Sequence, residues 1–264
     1  MLDPQITTVL FDLDGTLLPM ELEKFTNTYF GLLAKKAAPF GFQPEPLVAA
    51  VWKGTKAMVK NDGTETNDKR FWGTFAGEMG EEVLQLRPVF DGFYANEFHG
   101  AKAACGENPL ARRAIDGLKA KGYDVVLATN PIFPLVGVET RLSWVGLRPE
   151  DFSYITAYEN STTCKPNPAY YAEILRKTGK RPQECLMVGN DATEDTAALE
   201  QGIGVYLVTV PLKPQGPGHQ QPAPGTFAAF LGLPGLKFSP FVTRTQKNPG
   251  IWGIIKAQKG NTPR

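Results

Sequence analysis

Apolar positions along the chain follow two different periods, and the change of period divides it. Residues 6–11 form a short apolar run that predicts a buried strand. From residue 21 to residue 99 the spacing becomes helical. Leu22, Phe25, Tyr29, Phe30, Leu32 and Leu33 share one face, which the breaker run AAPFG closes. Residues 46–60 predict a second helix with proline at its start, where the missing N–H costs little. The turn-rich stretch NDGTETND precedes two more predicted helices, 69–79 and 82–98.

After Cys105 strand and helix signals alternate. Asn108 and Pro109 mark a helix start and Gly122 its end. The strand YDVVLATN, a helix over 135–145 and the short strand FSYITAY follow. A helix over 169–177, the strand ECLMVG, a helix over 193–201 and the strand GVYLVTV complete the series. Such alternation predicts an α/β protein with a mostly parallel sheet covered on both faces. The Pro/Gly/Gln-rich segment PLKPQGPGHQQPAPG predicts a linker, and residues 227–233 one short helix beyond it.

Polar clusters sit where the predicted strands end. They are Asp12 and Asp14, then Thr129 and Asn130, then Lys165 after a loop, and finally Asn190, Asp191 and Asp195. A parallel sheet brings all of them to its carboxyl edge, where open α/β sheets bind ligands. Adjacent acids repel one another, and a cation relieves that repulsion. Carboxylates without histidine or thiolate suit a hard ion such as Mg²⁺.

Composition narrows the field further. The 264 residues are 42% hydrophobic and 21% charged, as in an ordinary soluble protein. No apolar run approaches the ~20 residues of a membrane span, and the start MLDPQITT lacks the pattern of a signal peptide. The three cysteines form no CxxC pair, so a reducing cytoplasm is the expected setting. The net charge of +1 gives no reason to expect nucleic acid as a partner. After Glu200 the chain has basic residues and no acid, but they are too widely spaced for a dense patch.

In order and spacing, FDLDGTLL, LATN, the KP of CKPNP and VGNDATED resemble the four motifs of the haloacid dehalogenase-like hydrolase superfamily. The helical block between the first and second motifs is similar to that superfamily's first type of cap. The resemblance implies a Rossmann-like three-layer core over residues 1–18 and 106–212. It implies a small helical cap domain over 19–105, while composition marks residues 213–264 as a Pro/Gly-rich basic extension. It further implies Asp12 as nucleophile, Asp14 as general acid and base, and Lys165 offsetting charge on Asp12 and the phosphoryl group. Thr129 and Asn130 would hold the phosphoryl oxygens. Mg²⁺ would bind Asp12, the Asp14 backbone carbonyl and a fourth-motif acid.

The fourth motif departs from the superfamily's pattern, because Asn190 stands where an acid is expected. Asp191 is favoured for the metal position, since a full charge binds Mg²⁺ better than an amide does, with Asn190 and Asp195 as alternatives. The implied activity is hydrolysis of a small phosphorylated metabolite. A phosphomutase is the nearest alternative; Asp14 argues against a haloacid dehalogenase, and the intact first three motifs against a catalytically degenerate binding protein. His99, His219 and Cys164 are expected to be structural. Phe71, Trp72, Phe75, Phe90, Phe93 and Tyr94 are expected to form the core of the helical block, with one or two of them lining a substrate pocket.

Overall fold

The computed structural model describes residues 4–208. Strand β1 (Thr8–Phe11) is buried at every position, because it lies at the centre of a five-stranded parallel sheet. The other strands are β2 (Asp124–Leu127), β3 (Tyr154–Ile155), β4 (Cys185–Gly189) and β5 (Gly204–Leu207), in the spatial order β3-β2-β1-β4-β5. In register, Thr8 stands between Asp124 of β2 and Cys185 of β4. Burial on both faces explains why these strands are continuously apolar rather than alternating.

Between β1 and β2 the chain forms α1 (Leu22–Ala37), α2 (Pro44–Val59), α3 (Asn67–Met79), α4 (Arg87–Ala95) and α5 (Pro109–Ala120). Helix α6 (Leu135–Trp144) precedes β3, and α7 (Pro168–Thr178) precedes β4. The start of α5 is capped as its sequence predicts: the Asn108 side chain accepts from the Leu110 N–H at 3.2 Å, and Pro109 follows. The chain enters and leaves the block of α1–α4 side by side. Met20 bridges Cys105, Gly106 donates to the Pro19 carbonyl at 2.8 Å, and Glu21 donates to Ala104 at 3.2 Å.

Two predicted helices take a different form. The one expected over 82–98 is broken into α4 flanked by 3₁₀ segments, Glu81–Leu86 and Glu97–Ala104. Pro88 lacks an N–H and fits only a first turn, and Asn96 leaves helical geometry at φ −124° and ψ −84°. The helix expected over 193–201 is only a 3₁₀ segment, Thr196–Gln201. The predicted linker, the helix over 227–233 and the basic extension lie outside the described residues.

Alternation along β1 divides the core. Val9 and Phe11 face a hydrophobic cluster that continues through Leu142 and Trp144 of α6 into α1, α3 and α4. Leu10 faces a smaller cluster with Met187, Tyr170 and Ile174 on the other side. The larger cluster crosses into the helical block through ring contacts. Phe98 and Trp144 have centroids 5.2 Å apart, and Phe25 meets Trp144 edge-on at 6.5 Å. Each such pair contributes about 0.5–1.5 kcal/mol beyond simple burial.

Candidate active site

Beyond β1 the chain must turn sharply while keeping Asp12 and Asp14 at the sheet edge. Gly15 makes that turn at φ +91°, and a Cβ there would run into the Asn190 amide. Its N–H donates to the Leu18 carbonyl at 2.7 Å, and Leu18 donates back to Leu13 at 2.8 Å. Thr16 Oγ1 lies 3.1 Å from Asp12 Oδ2 and 3.0 Å from Asn190 Oδ1, so one hydroxyl proton is shared between the two. Asn190 therefore joins the first and fourth motifs through Thr16.

Lys165 lies at the centre of the charge arrangement and is fully buried. Its Nζ donates to Asp12 Oδ1 at 3.0 Å and to Asp195 Oδ1 at 2.6 Å. Burial opposes its charge, but the two carboxylates outweigh burial and hold the ammonium well above its ordinary range. Burial pushes Asp12 up to about 7, against the pull of Lys165 and with the repulsion of Asp195 and Asp14.

The loop after β4 sorts its acids by hydrogen bonding. Asp191 Oδ1 accepts from the N–H groups of Thr193 and Glu194, at 2.7 and 2.8 Å. Asp195 reaches back to Lys165 and also accepts from the Asp191 N–H at 2.9 Å. These bonds hold residues 191–195 in turns and delay the helix predicted there. Gly189 lets Asp195 pass, since a Cβ at that position would occupy the space of its carboxylate.

Thr129 and Asn130 follow β2 as expected. The Thr129 carbonyl is pinned by Thr156 Oγ1 at 2.7 Å and Tyr170 OH at 2.8 Å. Asn130 Nδ2 donates to Glu194 Oε2 at 3.1 Å, while Asn130 Oδ1 and Glu194 Oε1 are buried without a partner. Burial raises Glu194 to about 8, with Lys165 opposing.

Asp12, Asp14, Thr129, Asn130, Asn190, Asp191 and Asp195 thus face one pocket of about 70 Å³, joined there by Glu194. Lys165 lies behind Asp12, not on the pocket wall. Two further residues, Glu194 and Arg141, lay outside the sequence reading. Arg141 is fully buried in α6, forms an ion pair with Asp14 and packs over the Phe133 ring at 4.3 Å from its centroid. The available signal was a charged residue at a core position, among Val138, Leu142 and Trp144.

Among the described residues no three His, Cys, Asp or Glu side chains form a ready metal cage. The pocket offers oxygen donors without histidine or thiolate. That set fits Mg²⁺, which takes one or two carboxylates plus substrate phosphate and keeps several waters.

The two raised carboxylates imply a pH dependence of stability. Folded Asp12 and Glu194 bind protons that the unfolded chain releases near its ordinary carboxylate values of 3.8 and 4.5. Metal-free stability therefore falls as pH rises between those values and about 7 to 8. Lowered carboxylates such as Asp151, bonded by Arg112, titrate below that window. Thermal melts in EDTA are expected to give a lower Tm at about pH 8.5 than at about pH 6, with Mg²⁺ narrowing the gap. A Tm that rises with pH across this interval would contradict it.

A parallel α/β sheet with carboxylates, a hydroxyl and a buried lysine at one edge, beneath a helical insert, defines an enzyme core of the α/β class. The chain belongs to the haloacid dehalogenase-like hydrolase family, whose model matches residues 6–202. It is 26% identical over 208 residues to a phosphoglycolate phosphatase of Shigella dysenteriae, a match covering 75% of this chain and 79% of that protein. It is also 26% identical over 208 residues to a glyceraldehyde 3-phosphate phosphatase of Methanothermobacter thermautotrophicus, covering 77% and 85%. The structure of CbbY from Rhodobacter sphaeroides in complex with phosphate shares the fold. Its TM-score is 0.51 at 19% identity, and the match covers 88% of this chain and 97% of that one.

Proposed function

We propose that this protein is a Mg²⁺-dependent phosphatase that hydrolyses a small phosphorylated metabolite through an aspartyl-phosphate on Asp12. The observation that carries this reading is the Asp12 carboxylate. It opens on the pocket, is anchored from behind by Lys165, and has Asp14 beside it on the same wall.

A phosphate monoester would place its phosphoryl group against Asp12, Thr129 and Asn130. An Asp12 oxygen attacks phosphorus in line, the ester P–O bond breaks, and Asp14 gives its proton to the departing alkoxide. Water then attacks the aspartyl-phosphate while Asp14 takes its proton, releasing phosphate and restoring Asp12. Lys165 stabilises Asp12 in both states, and Arg141 orients Asp14. Asp12, the Asp14 backbone carbonyl and Asp191 would hold Mg²⁺, which supplies charge neutralisation at the phosphoryl oxygens. The helices α1–α4 act as the cap that excludes water. The three free cysteines fit a reducing, cytoplasmic setting.

Metal removal tests the reading. Hydrolysis of p-nitrophenyl phosphate is expected to fall about 100-fold or more in EDTA and to return on adding Mg²⁺. Turnover that is indifferent to metal would overturn the proposal.

A further inference from the structure

A second chamber opens from the catalytic pocket. It measures about 90 Å³ and shares Asp14, Met20, Leu22 and Ile132 with that pocket. More than half of the residues facing it are aromatic, drawn from α1 to α4 and from the loops after β2 and β3. Five of the six aromatic residues expected to form the core of the helical block line it, far more than the one or two expected. They pack into the core of the block as expected and still leave a space among their rings.

The polar groups of the chamber are specific. Its charged residues are Asp14, at the junction with the catalytic pocket, and Asp91. Among the described residues no Lys, Arg or His faces it. Arg141 is fully buried against the Phe133 ring and paired with Asp14 through Nη1, its Nη2 having no partner, so it exposes no surface toward the chamber. Tyr29 and Tyr94 bond to each other through their hydroxyls at 2.8 Å, which leaves their rings as apolar walls. Trp52 keeps its indole N–H buried without an acceptor.

We infer that this chamber receives the leaving alcohol of the substrate, and that the alcohol carries a single ring and no negative charge. The inference rests on the phosphatase reading for the position of the phosphoryl group and deepens it by naming the substrate class. Asp14 stands between the two spaces. A phosphate held at Asp12 therefore directs its ester oxygen past Asp14 and the rest of the ester into the chamber. At about 10–15 Å³ for each water it could hold, the space has room for one six-membered ring. Aromatic walls favour such a ring through burial and edge or face contacts. A carboxylate there would be desolvated with no cation on the exposed walls to meet it, and would face Asp14 and Asp91 instead. A phosphorylated hydroxy acid such as phosphoglycolate, the substrate named for one relative, is therefore a poor fit.

Binding of two non-hydrolysable probes to the full-length protein with Mg²⁺ tests the inference. Trp52 and Trp72 face the chamber, so intrinsic fluorescence reports occupancy. Benzylphosphonate is expected to bind at least about tenfold more tightly than phosphonoacetate, a margin within that set by one apolar group in a fitting pocket. Thr26→Arg places a cation on the partly exposed chamber wall, and is expected to reduce or reverse that preference. Phosphonoacetate binding as tightly as benzylphosphonate to the unaltered protein would overturn the inference. Hydrolysis assays separate the two readings. Preference for phosphoglycolate over benzyl phosphate removes the chamber assignment and leaves a phosphatase. Loss of all ester hydrolysis with the probe preference intact removes the phosphatase and leaves the chamber.

Discussion

Asp12→Asn is expected to abolish turnover of phosphate esters, by roughly 10⁴-fold or more, while the protein remains folded. The amide cannot form an acyl-phosphate, and Asp195, the other carboxylate on Lys165, is only 1% exposed at the pocket edge. The fold survives because Lys165 keeps that partner at 2.6 Å, and the smaller charge relieves crowding with Asp14 and Asp195. Burial already disfavours the Asp12 anion, so the variant is expected to melt no lower than the parent at about pH 8 without metal. Steady-state rates with p-nitrophenyl phosphate and thermal melts measure both effects. Residual turnover within tenfold of the parent would remove Asp12 from the chemistry.

Lys165→Met is expected to have the largest effect on stability. It leaves Asp12 and Asp195 facing each other in a site where their side chains are only 10% and 1% exposed. Removing one partner of a buried ion pair costs about 3–5 kcal/mol, because the remaining charge is neither solvated nor paired. Here two carboxylates lose the same cation. For a chain of this size, that cost corresponds to a Tm lower by roughly 6–20 °C. Acid is expected to restore part of the loss, since protonating either carboxylate removes the repulsion. Urea unfolding at about pH 8 and about pH 6 tests both parts. Equal stability to the parent at the higher pH would show that Lys165 is dispensable to the site's charge balance.

The polar positions that gather at the pocket were legible because their signals are local. Two acids at i and i+2 after an apolar strand share a face, and the glycine that follows permits the turn the structure shows. The sheet was legible for a similar reason: four of its five strands are apolar runs of four or five residues, each bounded by breakers. Burial positions that look ordinary in sequence were not legible. Arg141 lies on a helix among apolar neighbours, and its partner Asp14 is 127 residues away. Glu194 sits in a loop of acids, where adjacency gave no sign of which would be buried. The aromatic residues of α1–α4 announced a core by their spacing, yet spacing does not distinguish a filled interior from one built around a chamber.

The sequence by itself determined the α/β class, the order of the strands along the chain, and the set of polar residues at the sheet's carboxyl edge. Each depends on short-range periodicity and on backbone permissions of one or two residues. Only the tertiary structure decided how the acids of the fourth motif divide their work. Asp195 goes to Lys165, Asp191 caps its own loop while still facing the pocket, and Asn190 shares Thr16 with Asp12. Three neighbouring polar residues have nearly the same local propensities. What separates them is which buried cation or N–H lies within about 3 Å once β1, β4 and the Lys165 loop are packed together, and that is a property of the assembled sheet edge.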